Sequence, residues 1–232
     1  QLRLFDVQQN NQLQTQATGI SEFKELNQAL QQMTTRIQSD YKSLKEFTEN
    51  ASHEIQTPLA IIRSKIELLL QSENLTENQW KQLSEINEAA DRLSRLNQSL
   101  LLLAKIENGQ FTEVQQVNLS QALEKYADNL SELITSRNIQ LSKHIEPRIL
   151  VLTNPYLLDI LLSNLLTNAI QHNTENGFIH IQLSPGKLVI ENTGEVLKIP
   201  ASELFNRFKK GHNSSSSTGI GLSIVYKIAT SN

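Results

Sequence analysis

The chain has 232 residues, 38% hydrophobic and 19% charged, with only 8 Gly and 5 Pro. That composition excludes collagen-like and low-complexity disordered chains and, at about 150 residues per domain, leaves room for one or two domains with true cores. Its 21 basic and 24 acidic residues give a net charge of -3, so no basic footprint points to nucleic acid, and the lack of cysteine excludes a disulfide framework and thiolate metal sites. The longest apolar run, Leu100 to Ala104, is far below the roughly 18 residues of a membrane span, so no membrane contact is expected within these residues. Because the sequence opens on Gln1 and has no secretory pattern, it is expected to be part of a longer protein whose remainder has room for an anchor.

Residues 1–18 are rich in Gln and Asn and read as a connector. From Leu26 the apolar residues follow heptad spacing through Leu30, Met33, Ile37, Leu44, Phe47 and Ala51, with Asp40 as the polar interruption, the pattern of a coiled-coil seam. The register then shifts to Ile55, Leu59, Ile62, Ile66 and Leu69, which predicts one long amphipathic helix ending near Gln71. A turn over Ser72 to Thr76 leads to a second helix with Leu83, Ile86, Ala90, Leu93, Leu96, Leu100 and Leu103, stopped by Asn108-Gly109. Such a hairpin cannot cover its own wide apolar stripes, so two copies are expected to pair into a four-helix bundle.

Beyond a linker at 110–117 the pattern becomes mixed. Leu119 to Ser136 reads as helix, and Ile139 to Ile145 and Arg148 to Leu152 as short strands. Pro155 opens a helix with Leu157, Leu161, Leu165 and Ala169 down one face. Phe178 to Leu183 and Lys187 to Glu191 flank Ser184-Pro185-Gly186, a hairpin signal.

His53, Glu54, Thr57 and Pro58 fall in the middle of the first long helix, where proline costs about 3 kcal/mol and predicts a kink beside His53. His53 lies two positions from both Ala51 and Ile55, which turns it away from the core stripe and toward solvent. Thr57, one turn on, stands on the same face. A zinc site of the His-Glu-x-x-His kind lacks its second ligand, because Thr57 stands there. An exposed imidazole beside a carboxylate is a nucleophile with a base at hand. The segment from Phe47 to Ala60 resembles the phosphoacceptor box of sensor histidine kinases. The resemblance implies that His53 is phosphorylated, that Glu54 is the acid/base, and that Thr57 positions water when the partner is dephosphorylated.

In the second half, Asn164 and Asn168 share a helical face, and neutral asparagine oxygens suit a Mg²⁺ that keeps water and phosphate as its other ligands. Thr218-Gly219-Ile220-Gly221 leads into a helix with Leu222, Val225, Tyr226 and Ala229; glycines there let backbone N–H groups approach phosphate. In this order the two motifs resemble the ATP-binding domain of histidine kinases, within the superfamily that contains gyrase. On that resemblance Asn164 and Asn168 form the asparagine box, Asn168 being the favoured Mg²⁺ ligand, and His172 packs near the nucleotide. Gly219 and Gly221 form the second glycine box. Leu204 to Lys210 resembles the phenylalanine box, with Arg207 and Lys210 as phosphate contacts, and Ser214 to Ser217 suits a lid. Where the family's first glycine box has Asp and two glycines, this chain has Asn192-Thr193-Gly194 followed by Glu195 and Val196. Gln171 replaces a usual Lys or Arg, so weakened rather than lost nucleotide binding is expected.

The resulting expectation is an α+β protein. Residues 1–40 resemble, more loosely, the output helix of a signal-relay module. Residues 41–109 form the phosphotransfer hairpin of a homodimer, and residues 118–232 form an α/β-sandwich ATP-binding domain that stops short of the family's full length, with a sheet edge left open. The implied activity is autophosphorylation of His53 from ATP and Mg²⁺, then transfer to an aspartate of a response-regulator receiver domain, in the cytoplasmic part of an inner-membrane sensor. A degenerate signalling scaffold is a second reading. A gyrase-type hydrolase is disfavoured, because Asn164 stands where such enzymes carry a general-base Glu.

Overall fold

The computed structural model describes residues 21–72, 74–209 and 218–231, without the side chains of residues 21–22, 44–45, 47–49 and 52–53. The expected connector at 1–18, Lys210, the Ser214 to Ser217 stretch and the His53 side chain lie outside that description. The chain divides into two compact units, Gln1–Gln110 and Phe111–Asn232.

In the first unit, helix α1 (Ser21–Leu70) runs antiparallel to α2 (Glu77–Glu107). A capping box ends the turn: Gln79 N–H donates to Thr76 Oγ1 (3.3 Å) and Thr76 N–H donates to Gln79 Oε1 (2.9 Å), satisfying two donors that a helix start otherwise leaves open. At the far end Gly109 takes φ 57° and Gln110 N–H donates to the Lys105 carbonyl (3.0 Å), so the helix stops where a left-handed residue can close it. The Tyr41 hydroxyl donates to the Asn108 carbonyl, and Arg63 pairs with Asp91 across the helices at 2.7 Å.

Leu59, Ile66, Ala90, Leu103 and Ile106 are buried within the hairpin. Leu26, Met33, Ile37, Ile55, Ile62, Leu69, Ile86 and Leu93, all of the expected apolar stripe, are exposed in the single chain. One partner helix covers only part of a stripe this wide, and the remainder is left facing outward.

The second unit begins with β1 (Gln115–Asn118), lying in the stretch expected as linker, and α3 (Leu119–Asn129). The helix predicted through Ser136 is interrupted at Leu130, and α4 (Ser131–Ser136) follows. Then come β2 (Gln140–Ile145), β3 (Leu150–Thr153), α5 (Pro155–Gln171), β4 (Phe178–Ser184), β5 (Lys187–Asn192), a 3-10 turn at Ala201–Phe205 and α6 (Gly221–Ser231). Strands β1 and β3 pair antiparallel, while a separate sheet runs β2-β4-β5, parallel between the first two and antiparallel across the hairpin. The alternation along β4 points Ile179, Ile181 and Leu183 into the core and Phe178 and Gln182 outward. Against that inner face lie α3 and α5, through Leu123, Leu162, Leu166 and Ile170.

The buried residues of α5 are Leu157, Leu158, Leu162, Leu166, Ala169 and Ile170, so the expected Leu157 and Ala169 are buried, while the expected Leu161 and Leu165 are half-buried and their neighbours Leu162 and Leu166 are buried instead. This helix packs against both α3 and α6, so its leucine pairs are covered on two sides and the phase of the stripe is ambiguous from sequence. At its start Asn154 caps it, accepting from Leu157 N–H (3.2 Å) and donating to the Glu113 carbonyl (2.8 Å).

Candidate functional site

On α1, Glu54, Thr57 and Pro58 are exposed while Leu59 is buried and Ala51 half-buried. The helix continues unbroken through Pro58, although proline has no N–H to give the Glu54 carbonyl. By helical geometry residue 57 stands one turn from residue 53 on the same side. The stretch thus exposes a carboxylate and a hydroxyl beside the backbone position of His53.

In the second unit α5 is the axis of the candidate nucleotide site. Asn164 and Asn168, one turn apart, are both half-buried. Asn164 Nδ2 donates to the Ile160 carbonyl at 2.8 Å, which directs its Oδ1 away from that carbonyl. A Cβ built on Gly221 would lie 2.8 Å from Asn164 Oδ1, so the start of α6 comes against the asparagine at a distance only glycine allows. His172 caps α5, its N–H donating to the Asn168 carbonyl at 3.0 Å, and a Cβ on Gly194 would stand 3.0 Å from the His172 carbonyl. The two glycine segments therefore both border α5, one at Asn164 and one at its C-terminus.

Gly219 has φ +71°, and a Cβ there would stand 3.0 Å from the Phe208 carbonyl carbon. Phe208 N–H donates to the Gly219 carbonyl at 2.8 Å, so residues 208 and 219 are pinned to each other. Phe208 takes φ 64°, unusual for a bulky side chain. Phe205 rests on Tyr226 of α6 at 5.6 Å between ring centroids. Arg207 is exposed, and the neighbouring Lys209 pairs with Glu203 at 3.1 Å.

Sequence reasoning missed Asn173, Gly177 and Thr193. Thr193 Oγ1 accepts from Phe178 N–H (2.9 Å) and donates to Asn173 Oδ1. Asn173 Nδ2 donates to the Phe178 carbonyl (3.0 Å) and, at 3.3 Å, to that of Ala169. A Cβ on Gly177 would come within 2.0 Å of both Asn173 Oδ1 and Thr193 Oγ1. The only trace in the sequence is a polar Asn-x-x-x-Gly just after the helix, which reads as an ordinary loop.

Residues 43–109 match the His Kinase A (phospho-acceptor) domain family, and residues 153–232 match the histidine kinase-, DNA gyrase B-, and HSP90-like ATPases. The chain is 31% identical over 217 residues to the sensor histidine kinase HprS of Escherichia coli strain K12, which covers 90% of this chain and 47% of HprS. It is 28% identical over 219 residues to the sensor protein QseC of Salmonella typhi, covering 92% and 49%. The chain thus spans about half the length of these curated relatives. Among solved structures, full-length ShkA in complex with AMPPNP superposes with a TM-score of 0.60 at 22% identity, covering 80% of this chain and 41% of ShkA. The histidine kinase AdeS of Acinetobacter baumannii gives 0.50 at 20%, covering 77% and 86%. These two likenesses concern the fold alone.

Proposed function

Because this chain belongs to the sensor histidine kinases of two-component systems, we propose that it transfers the terminal phosphoryl group of ATP to a ring nitrogen of His53 and then to an aspartate of a response-regulator receiver domain. The observation that carries the nucleotide half is the Asn164–Gly221 approach: a Cβ on Gly221 would stand 2.8 Å from Asn164 Oδ1. This cradle keeps a helix start, with its N–H groups and partial positive charge, beside a neutral oxygen donor, an arrangement that fits a magnesium-bound triphosphate. Asn168, with Asn164, would hold the Mg²⁺, which when bound neutralises charge on the phosphates. Gly219 and Gly221 admit the phosphates to the backbone, Arg207 and Lys210 contact them, and His172, Asn192 and Gly194 border the base. Asn192 Oδ1 accepts from the adenine amino group.

At His53 the new N–P bond forms as the P–O bond to the departing diphosphate breaks, while Glu54 holds or takes the proton on the second ring nitrogen. Thr57 orients the water that removes phosphate from the receiver. Four-helix dimerisation supplies cover for the exposed apolar residues of α1 and α2, and the relatives' descriptions as sensor proteins favour the cytoplasmic part of a membrane sensor. Asn164 cannot act as the base of a hydrolase, and its amide is engaged by Ile160. The test is incubation of the full-length protein with γ-labelled ATP and Mg²⁺. An acid-labile label that His53→Gln abolishes is expected, and alkali-labile label would refute the assignment.

A further inference from the structure

We propose that Arg63 and Asp91 are positioning residues for the phosphoryl transfer: their pair sets the rotation of α1 against α2, and with it the direction in which residue 53 is presented. The proposal rests on the reading of His53 as the phosphoacceptor.

The inner seam of the hairpin is where the two helices take their phase. On α1 its buried and half-buried line is Leu59, Arg63, Ile66 and Leu70, and on α2 it is Leu83, Asn87, Ala90, Ser94 and Asn97. Both lines advance in alternating steps of four and three, the spacing of helices packed side by side. Large apolar side chains normally interlock along such a seam and fix one helix against the other. Here Arg63 takes the step between Leu59 and Ile66, and α2 supplies only Asn87, Ala90 and Ser94 around Asp91. The bulkier Ile62, Ile86 and Leu93 are exposed and so cannot set the phase within the hairpin.

Charge stands at that step instead. Arg63 Nε lies 2.7 Å from Asp91 Oδ1, and Arg63 Nη2 lies 3.6 Å from Glu67 Oε1, one turn further along α1. The guanidinium is thus braced on its own helix while it reaches the other. Arg63 Nε, Asp91 Oδ1 and Asn87 Oδ1 are all out of water, and Nε and Asp91 Oδ1 meet as an ion contact without hydrogen-bond alignment. Taking charges out of water offsets much of their attraction, so an apolar pair of similar volume commonly holds a fold as well or better. The pair is therefore a poor device for stability and a specific one for direction. From residue 53 to Arg63 is about 15 Å along the axis, and α1 is helical over that whole span, so a rotation at one is carried to the other. Side-chain ends stand about 5–6 Å from a helix axis, and a rotation of roughly 15° moves them by more than about 1 Å. A misplacement of that size can lower a rate on the order of a hundredfold.

The experiment follows labelling of the full-length protein by γ-labelled ATP and Mg²⁺ over a range of ATP concentrations, with melting temperatures in parallel. Arg63→Leu combined with Asp91→Leu should melt at or above the wild-type temperature, keep the KM for ATP, and lower the maximal rate about tenfold or more. Arg63→Asp combined with Asp91→Arg should bring that rate back to within about threefold of wild type; it is made with Glu67→Gln, so that no like charge stands one turn from the new carboxylate. A wild-type maximal rate in the leucine pair would show that the ion pair only fills the seam and would overturn the proposal. So would a charge exchange that recovers the melting temperature without the rate, or a KM for ATP that moves with it. If the wild-type protein binds ATP but takes no label on His53, the phosphoacceptor reading beneath the proposal fails instead.

Discussion

Replacing Gly221 by alanine separates the nucleotide site from the stability of the fold. The added methyl would lie 2.8 Å from Asn164 Oδ1, so the amide must retreat by roughly 0.6 Å to reach ordinary contact at 3.4 Å. That movement strains or breaks the Asn164 Nδ2 to Ile160 hydrogen bond of 2.8 Å, a loss of about 0.5–1.5 kcal/mol. Alanine in place of glycine in a helix returns up to about 1 kcal/mol, so the two effects nearly offset and the melting temperature should shift by only a few degrees. Nucleotide affinity should fall about tenfold or more, equivalent to about 1.4 kcal/mol, because the displaced oxygen is one of those proposed to hold the Mg²⁺. The assay is displacement of a fluorescent ATP analogue alongside thermal denaturation. Gly186→Ala is the control: its φ is +76° with nothing within 4 Å of the added methyl, so it should cost about 1–2 kcal/mol of backbone strain and leave affinity unchanged. Wild-type affinity in folded Gly221→Ala would show that the Asn164–Gly221 approach is not part of the nucleotide site.

Three further outcomes are expected. Gly177→Ala, placing a methyl 2.0 Å from Asn173 Oδ1 and Thr193 Oγ1, should destabilise by about 1–3 kcal/mol or more, read as a lowered urea midpoint; an unchanged midpoint would mean the network yields easily. Thr57→Ala should keep autophosphorylation and lose phosphatase action on the receiver, and equal loss of both would count against that role. The Tyr126 phenol is held above its ordinary 10.0 by burial first, then by the charge of Asp159 and the hydrogen bond to it. Its contribution to stability is therefore complete below pH 10 and is lost as pH rises through the folded value, where the unfolded chain has already given up the proton. Tyr126→Phe should flatten that alkaline decline in denaturation curves, and an identical decline in both proteins would refute it.

The helical hairpin was legible because its apolar periodicity breaks over Ser72 to Thr76 and its second helix is stopped by Asn108-Gly109, whereas the Thr76–Gln79 capping box that starts α2 went unread. The β4–β5 hairpin was legible through Pro185-Gly186, and α5 through Pro155. What escaped prediction depends on distant partners. Strand β1 begins with two glutamines, and only its pairing with β3 makes it a strand. The break at Leu130 carries no glycine or proline. Along α5 the expected Leu157 and Ala169 are buried, but in the pairs 161/162 and 165/166 it is the second leucine that is buried, because such pairs fit either phase until α3 and α6 cover them. At the site, the asparagine and glycine motifs were visible, while Asn173 and Thr193 are joined only through the fold, 20 positions apart.

The parallel pairing of β2 with β4, Gln140 opposite Phe178, constrains the order in which the second unit can assemble. The β4–β5 ribbon needs only its own turn and can form within about 1–10 μs. Strand β2 joins it only after β3 and the whole of α5 have crossed over, a long loop to close before any reward is collected. Nascent chains that have not yet emitted residue 184 therefore carry a β2 without its neighbour, and the rate-limiting event in refolding is expected to be docking of α5, so that Leu162→Ala should slow refolding in stopped-flow traces instead of merely hastening unfolding.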